Sequence, residues 1–224
     1  MLKAEISEIF MSIQGEGKFL GVPTVFVRFS GCSLSCRWCD TLHEIREELS
    51  AEQIVERVAE WLAPGIMVSL TGGEPLEQSD ILACCLPELK RTGCAVLLET
   101  NGVRYDSLDR VSEFIDSIAM DIKLPSSYGG DPLWREHARF LEGCLDRDVF
   151  IKAVITPDTE DRDIQDMIRL LEGVRTGIPV FLQPETSSLD HGSWQRAVDM
   201  HKLCAPYLED VRVVPQVHRL VGIR

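Results

Sequence analysis

Short apolar runs recur down this chain, with helical patterns between them. The runs cover residues 24–29, 66–70, 95–99, 117–120, 149–155, 178–182 and 211–214, rich in Val, Ile, Leu and Phe. Helical patterns fill residues 79–91, 106–114, 133–145 and 193–208, and Thr159 is placed to cap a further helix reaching Val174. Ser50 and Gln53 read as a capping box for the first helix, with Ile54, Val55, Val58, Trp61 and Leu62 on its apolar side and Pro64-Gly65 as its stop. Such alternation builds right-handed βαβ units and a mainly parallel sheet. With about six core strands in 224 residues, an α/β fold of the open, partial (β/α) barrel kind is expected. A closed eightfold barrel typically takes ~250 residues. The length suits one domain spanning residues 1–224.

Parallel sheets bind ligands at the C-terminal ends of their strands. The peptides there are unusual: Thr71-Gly72-Gly73-Glu74-Pro75, Glu99-Thr100-Asn101-Gly102, Asp121-Ile122-Lys123 and Gln183-Pro184-Glu185-Thr186. They should share one rim with the loop Gly31-Cys32-Ser33-Leu34-Ser35-Cys36-Arg37-Trp38-Cys39-Asp40-Thr41, in which three thiols can turn toward one point. A cubane iron-sulfur cluster normally takes four cysteines, so three would leave one iron open to a small chelating molecule. A zinc knuckle completed by His43, or three ordinary loop cysteines, fits the spacing too. Residues 1–23 read as a shaped loop with Gln14 and Glu16 at its tips, and Arg28 interrupts an apolar strand, so it points either to solvent at a sheet edge or into a polar pocket, of which the sequence favours the edge.

The formal net charge of -13 argues against nucleic acid, whose phosphates need a basic face. No run approaches the ~18 apolar residues of a membrane span, and no targeting leader opens the chain, so a cytoplasmic protein is expected. Scattered cysteines in that compartment read as thiols plus a metal site. Cys84, Cys85, Cys94, Cys144 and Cys204 are expected to pack as small hydrophobes, and Leu133, Trp134, Phe140 and Leu141 as core.

The cysteine loop, with Trp38 before its last cysteine, resembles the cluster loop of radical S-adenosylmethionine (SAM) enzymes, and residues 71–75 resemble their Gly-Gly-Glu motif. Nearly the whole chain takes part. Within that superfamily, glycyl-radical-enzyme activases also carry the Gly-Gly-Glu-Pro, Thr-Asn-Gly and Asp-x-Lys peptides. The ends discriminate: Ser12-Ile13-Gln14-Gly15-Glu16-Gly17, then Gly21-Val22-Pro23, Arg28 and Cys39-Asp40-Thr41, closely resemble the 7-carboxy-7-deazaguanine synthase family. The tail Gln216-Val217-His218-Arg219 is similar to that family's, with Arg219 where Lys is more usual.

The resemblance implies a lyase that uses SAM to turn 6-carboxy-5,6,7,8-tetrahydropterin into 7-carboxy-7-deazaguanine, a step toward queuosine and related deazapurines. It implies a 4Fe-4S cluster on Cys32, Cys36 and Cys39, and Mg²⁺ held with help from Thr41. Trp38, Cys39, Asp40, Gly73, Glu74, Asp121, Ile122, Lys123, Gln183, Pro184, Glu185 and Thr186 match SAM-contacting positions, with Glu74 toward the SAM amine. Ile13, Gln14, Gly15, Arg28, Thr71 and the carboxylate of Arg224 match pterin-contacting positions. The loop at about 10–23 and the tail at about 215–224 would close the site, where His218 either orients substrate or caps a strand. An external reductant such as flavodoxin or ferredoxin and a homodimer are implied as well. Another class, a zinc-stabilised binding module, stays open and differs in its metal.

Overall fold

In the computed structural model, residues 2–39 and 44–223 are described. The strands are β1 (Ala4–Ile13), β2 (Pro23–Phe29), β3 (Glu47–Leu49), β4 (Met67–Gly72), β5 (Ala95–Thr100), β6 (Ser117–Asp121), β7 (Asp148–Ile155), β8 (Val180–Pro184) and β9 (Val211–Val213). The helices are α1 (Ala51–Ala59), α2 (Ser79–Arg91), α3 (Tyr105–Leu108), α4 (Pro125–Tyr128), α5 (Trp134–Glu142), α6 (Asp161–Val174), α7 (Ser193–Cys204) and α8 (Val217–Leu220). Among the described residues the strands form one sheet in the order β3-β1-β2-β4-β5-β6-β7-β8-β9. From β2 onward every neighbour is parallel. β1 and β3 add an antiparallel margin. The sheet is open, as the alternation of runs and helices predicts.

That margin corrects two expectations. Residues 4–13, expected as loop, form the longest strand, and β1 covers β2, so Arg28 lies inside the sheet and not at its edge. The cause is a register shift between Ile6 and Glu8. A bulge changes which face successive residues meet, so the alternation that marks a strand is broken in the sequence. A third correction concerns α6: Glu160 is its N-cap, while the Thr159 hydroxyl accepts from the Thr156 N–H at 2.9 Å within the preceding turn.

The capping box of α1 is present, with the Gln53 N–H donating to Ser50 Oγ at 3.3 Å and the Ser50 N–H to Gln53 Oε1 at 2.9 Å. Caps of this type contribute ~1 kcal/mol, and this one sets Ile54 and Val58 against the sheet, both fully buried. Helices cover one face of the parallel strands in a continuous core that runs from Ala4 to Cys204 and includes Phe140, Leu141, Cys85, Cys94 and Cys144. Cys84, on the outer side of α2, is exposed instead.

The opposite, inner face is built in two layers by the period of two along each strand. Near the strand starts Met67, Leu97, Ala119, Phe150 and Phe181 form a separate apolar cluster, with Phe19, Val22 and Val214 packed on it. Two residues further along, the same strands present Ser69, Glu99, Asp121, Lys152 and Gln183. The floor is greasy and the layer above it is charged.

Candidate active site

Above the charged layer lies a cavity of about 520 Å³. Its rim begins where β2 runs into the cysteine loop. The Gly73 N–H donates to Phe29 O at 2.9 Å and the Glu74 N–H to Gly31 O at 2.8 Å, so the two rim peptides lie backbone against backbone. A Cβ on Gly73 would sit 1.7 Å from Gly31 O, a separation that only glycine permits. The glycine at this position therefore serves the seating of the cysteine loop itself.

Cys32, Cys36 and Cys39 all line the cavity, and none of them is in a disulfide. Burial raises the Cys32 thiol and pushes Cys36 up to about 11; coordination to a metal ionises such thiols outright. Cys32 Sγ accepts from the Leu34 N–H at 3.4 Å. Among the described residues no three His, Cys, Asp or Glu side chains are gathered to clasp a single metal ion. Asp40, Thr41, His43 and Arg224 lie outside the described residues.

Trp38, Gly73, Asp121, Lys123 and Gln183, expected around SAM, line the same cavity as the cysteines. Lys123 Nζ bonds Asp121 Oδ2 at 2.9 Å and stands 4.4 Å from the Trp38 ring centroid. Burial alone would lower the Lys123 pKa, but the Asp121 charge raises it. Asp121 Oδ1 is buried with no hydrogen-bond partner, an acceptor left for a bound molecule. Three thiols beside that acceptor and an aromatic ring fit a cluster with SAM.

Five expected SAM contacts depart from this pattern. Glu74 is wholly buried and receives the Thr100 hydroxyl at 2.8 Å, the Asn101 N–H at 2.7 Å and the Leu76 N–H at 3.1 Å. It ties the rim together from beneath instead of facing the cavity, and burial pushes its carboxyl up to about 7. Ile122 falls between Asp121 and Lys123, so strand parity turns it into the helix-side core. Pro184 is buried, and Thr186 Oγ1 donates to Gln216 Oε1 at 2.6 Å. Glu185, also off the cavity wall, anchors the next segment, its carbonyl accepting from Ser193 Oγ at 2.9 Å.

On the far side Ile13, Gln14, Gly15, Arg28 and Thr71, expected around the pterin, converge on the cavity. Arg28 pairs with Glu8 at 2.8 Å and lies 5.4 Å from the Phe10 ring. The tail joins them: the Val217 N–H donates to Gly15 O at 3.0 Å, and His218 and Arg219 line the cavity. A Cβ on Gly15 would stand 2.2 Å from His218 Nδ1. Gly15→Ala is therefore expected to dislodge the tail and raise KM for the carbon substrate at least tenfold, with iron content unchanged; steady-state kinetics beside iron analysis checks both.

Residue-type reasoning named Glu16, Glu99, Asp121 and Gln183 but missed Lys152, the cation that joins the charged layer. Lys152 is buried, ion-paired to Glu16 and 3.5 Å from Glu99. Glu16 also accepts from Gln216 Nε2 at 2.7 Å, and Glu99 from Ser69 Oγ at 2.7 Å and Gln14 Nε2 at 3.1 Å. Burial alone would raise the Glu16 carboxyl, but the charge and hydrogen bond of Lys152, with Gln216 assisting, bring it down to about 2. Burial likewise opposes the charged Lys152, and the carboxylates of Glu16, Glu99 and Asp121 override it to raise its pKa. A lysine inside the apolar run 149–155 was the available signal.

An open parallel sheet with three thiols at its C-terminal rim defines a radical SAM type of protein, and the family model "Radical SAM superfamily" matches residues 26–171. Curated relatives narrow this. The 7-carboxy-7-deazaguanine synthase of Geobacter sulfurreducens is 38% identical, covering 98% of this chain and 97% of its own length. That of Methanopyrus kandleri is 36% identical over 96% and 92%, and that of Methanothermobacter thermautotrophicus 32% over 100% and 99%. The crystal structure of QueE from Escherichia coli superposes with a TM-score of 0.66 at 23% identity, covering 96% of this chain and 95% of that one. The chain belongs to the 7-carboxy-7-deazaguanine synthase family of the radical SAM superfamily. No helix among the described residues is long and apolar enough to cross a membrane.

Proposed function

We infer that this chain is a carbon-nitrogen lyase that converts 6-carboxy-5,6,7,8-tetrahydropterin into 7-carboxy-7-deazaguanine with loss of ammonia. The observation that carries the reading is one cavity lined at one side by Cys32, Cys36 and Cys39 and at the other by Gln14, Gly15, Arg28 and the tail. When bound, a reduced 4Fe-4S cluster and SAM would supply radical chemistry, a 5'-deoxyadenosyl group able to abstract hydrogen at the substrate's C6.

The protein's part is to hold and orient. Cys32, Cys36 and Cys39 would hold the cluster, with Trp38, Gly73, Asp121, Lys123 and Gln183 around SAM. Arg28 presents a fixed guanidinium to an anionic or carbonyl edge. Gln14, though bonded to Glu99, is buried at the wall, where a pterin edge rich in donors and acceptors would meet it. Thr41 would help hold Mg²⁺ against the substrate carboxylate, Asp40 would meet SAM, and the Arg224 carboxylate would meet the pterin. The apolar floor excludes water beneath the reacting atoms.

One sheet, with a continuous core on its helical face, supports a single domain over 1–224, closed by residues 10–23, which run from the end of β1 to the start of β2, and by the tail at 215–224. Family membership supports a flavodoxin- or ferredoxin-type reductant and a homodimer. The test is an anaerobic assay of reconstituted protein with SAM, reductant, Mg²⁺ and the carboxytetrahydropterin, read by ultraviolet spectrum and mass. Formation of 7-carboxy-7-deazaguanine is expected; SAM cleavage with the pterin left intact would overturn the substrate assignment.

A further inference from the structure

The rim peptide after β5 reaches the cysteine loop through one side chain. Asn101 Nδ2 donates to Cys32 Sγ at 3.7 Å, a contact length suited to the large sulfur atom. Its amide cannot be turned over, because Asn101 Oδ1 accepts from the Val103 N–H at 3.0 Å. That bond fixes the oxygen away from the sulfur and the NH2 toward it.

The backbone of Asn101 is held as firmly. Its N–H donates to Glu74 Oε2 at 2.7 Å, and its carbonyl meets His137 Nε2 at 3.2 Å. Against a carbonyl that nitrogen must be the protonated one. His137 is fully buried, and burial pushes its pKa down to about 3, so it stays neutral and keeps a single tautomer. Asn101 itself is 6% exposed. Every polar group of this residue is committed, and the spare donor points at a sulfur.

We propose that Asn101 is a positioning residue that sets the reduction potential of the cluster through its hydrogen bond to Cys32 Sγ, with Glu74 and His137 holding it in place. The proposal rests on the reading of Cys32 as a cluster ligand. Hydrogen bonds to the sulfurs are one of the determinants of cluster potential. A donor stabilises the more negative, reduced state more than the oxidised one, so it raises the potential. Reductive SAM chemistry needs electrons at very low potential, and a donor on one sulfur eases the delivery of that electron.

The test is an EPR-monitored reductive titration of anaerobically reconstituted full-length protein, with Asn101→Leu and Asn101→Asp. Asn101→Leu keeps the volume without the donor and is expected to shift the oxidised-to-reduced ratio at fixed potential about tenfold toward oxidised, or about 59 mV for a one-electron couple. Asn101→Asp keeps the shape, puts a carboxylate oxygen against the sulfur and is expected to shift it further in the same direction. A variant that loads its cluster and titrates like the unmodified protein overturns the proposal. Loss of the cluster in both variants overturns it as well, since Asn101 would then hold the site together and not tune it. If the unmodified protein itself gives no 4Fe-4S signal, the parent reading of the cysteine loop falls, and this one with it.

Discussion

Cys36→Ala is expected to give a folded protein that makes no 7-carboxy-7-deazaguanine above background. Cys36 sits at the cavity rim, half-buried, and is absent from the hydrophobic core, so its sulfur supports no packing that alanine would disturb. With three local cysteines available, removing one leaves two, too few to keep a cubane that already has an open iron. Enzymatic rate enhancements begin at ~10⁶, and a fall to background forfeits at least that much. Anaerobic iron and sulfide analysis should show the cluster missing, circular dichroism should match the unmodified chain, and mass spectrometry should find neither product nor cleaved SAM. Zinc bound by the unmodified chain and retained by the variant would contradict the cluster assignment at its root.

The second large effect falls on stability. Lys152→Met removes the buried cation between Glu16 and Glu99, leaving two partly buried carboxylates at the base of the cavity without it. Breaking a buried ion pair by deleting one partner costs ~3–5 kcal/mol, because the remaining charge is stranded. The pH dependence carries the signature. Glu16 is depressed to about 2, so its contribution is present above its ordinary value of 4.5 and is lost as pH falls toward 2. Lys152 is raised, so its contribution is present below 10.5 and is lost only as pH climbs through its higher folded value. The difference between unmodified and Lys152→Met protein in urea denaturation should therefore be full at pH 7 and shrink steadily below pH 4.5. A constant difference down to pH 3 would mean that the lysine contributes by packing alone.

Much of this molecule was legible because parallel α/β architecture writes itself in alternating runs. α2 falls on residues 79–91 as expected despite Pro87, and the Ser50 capping box is where the sequence pattern puts it. The rim peptides were legible for the same reason, since topology alone sends every strand end to one side. What escaped notice depended on three-dimensional parity. Glu74 looked like a ligand because it ends a glycine motif, yet Gly72 and Gly73 carry the close backbone approach and turn the carboxylate beneath the rim. Lys152 and Glu99 stand in apolar strands of a parallel sheet, both faces of which are buried, so a charge on the inner face has no periodic announcement. β1 was hidden by its own bulge, and with it the covering of Arg28.

The two-layered inner face has a consequence for exchange. Met67, Leu97, Ala119, Phe150 and Phe181 seal the cavity from below, and Phe19 and Val22 seal them in turn. On the opposite side α8 and the peptide before it lean on Gly15. With that floor shut, a molecule seated in the cavity borders the cysteine loop on one side and the tail on the other. A change in either should therefore alter how fast that molecule is exchanged as well as how tightly it is held.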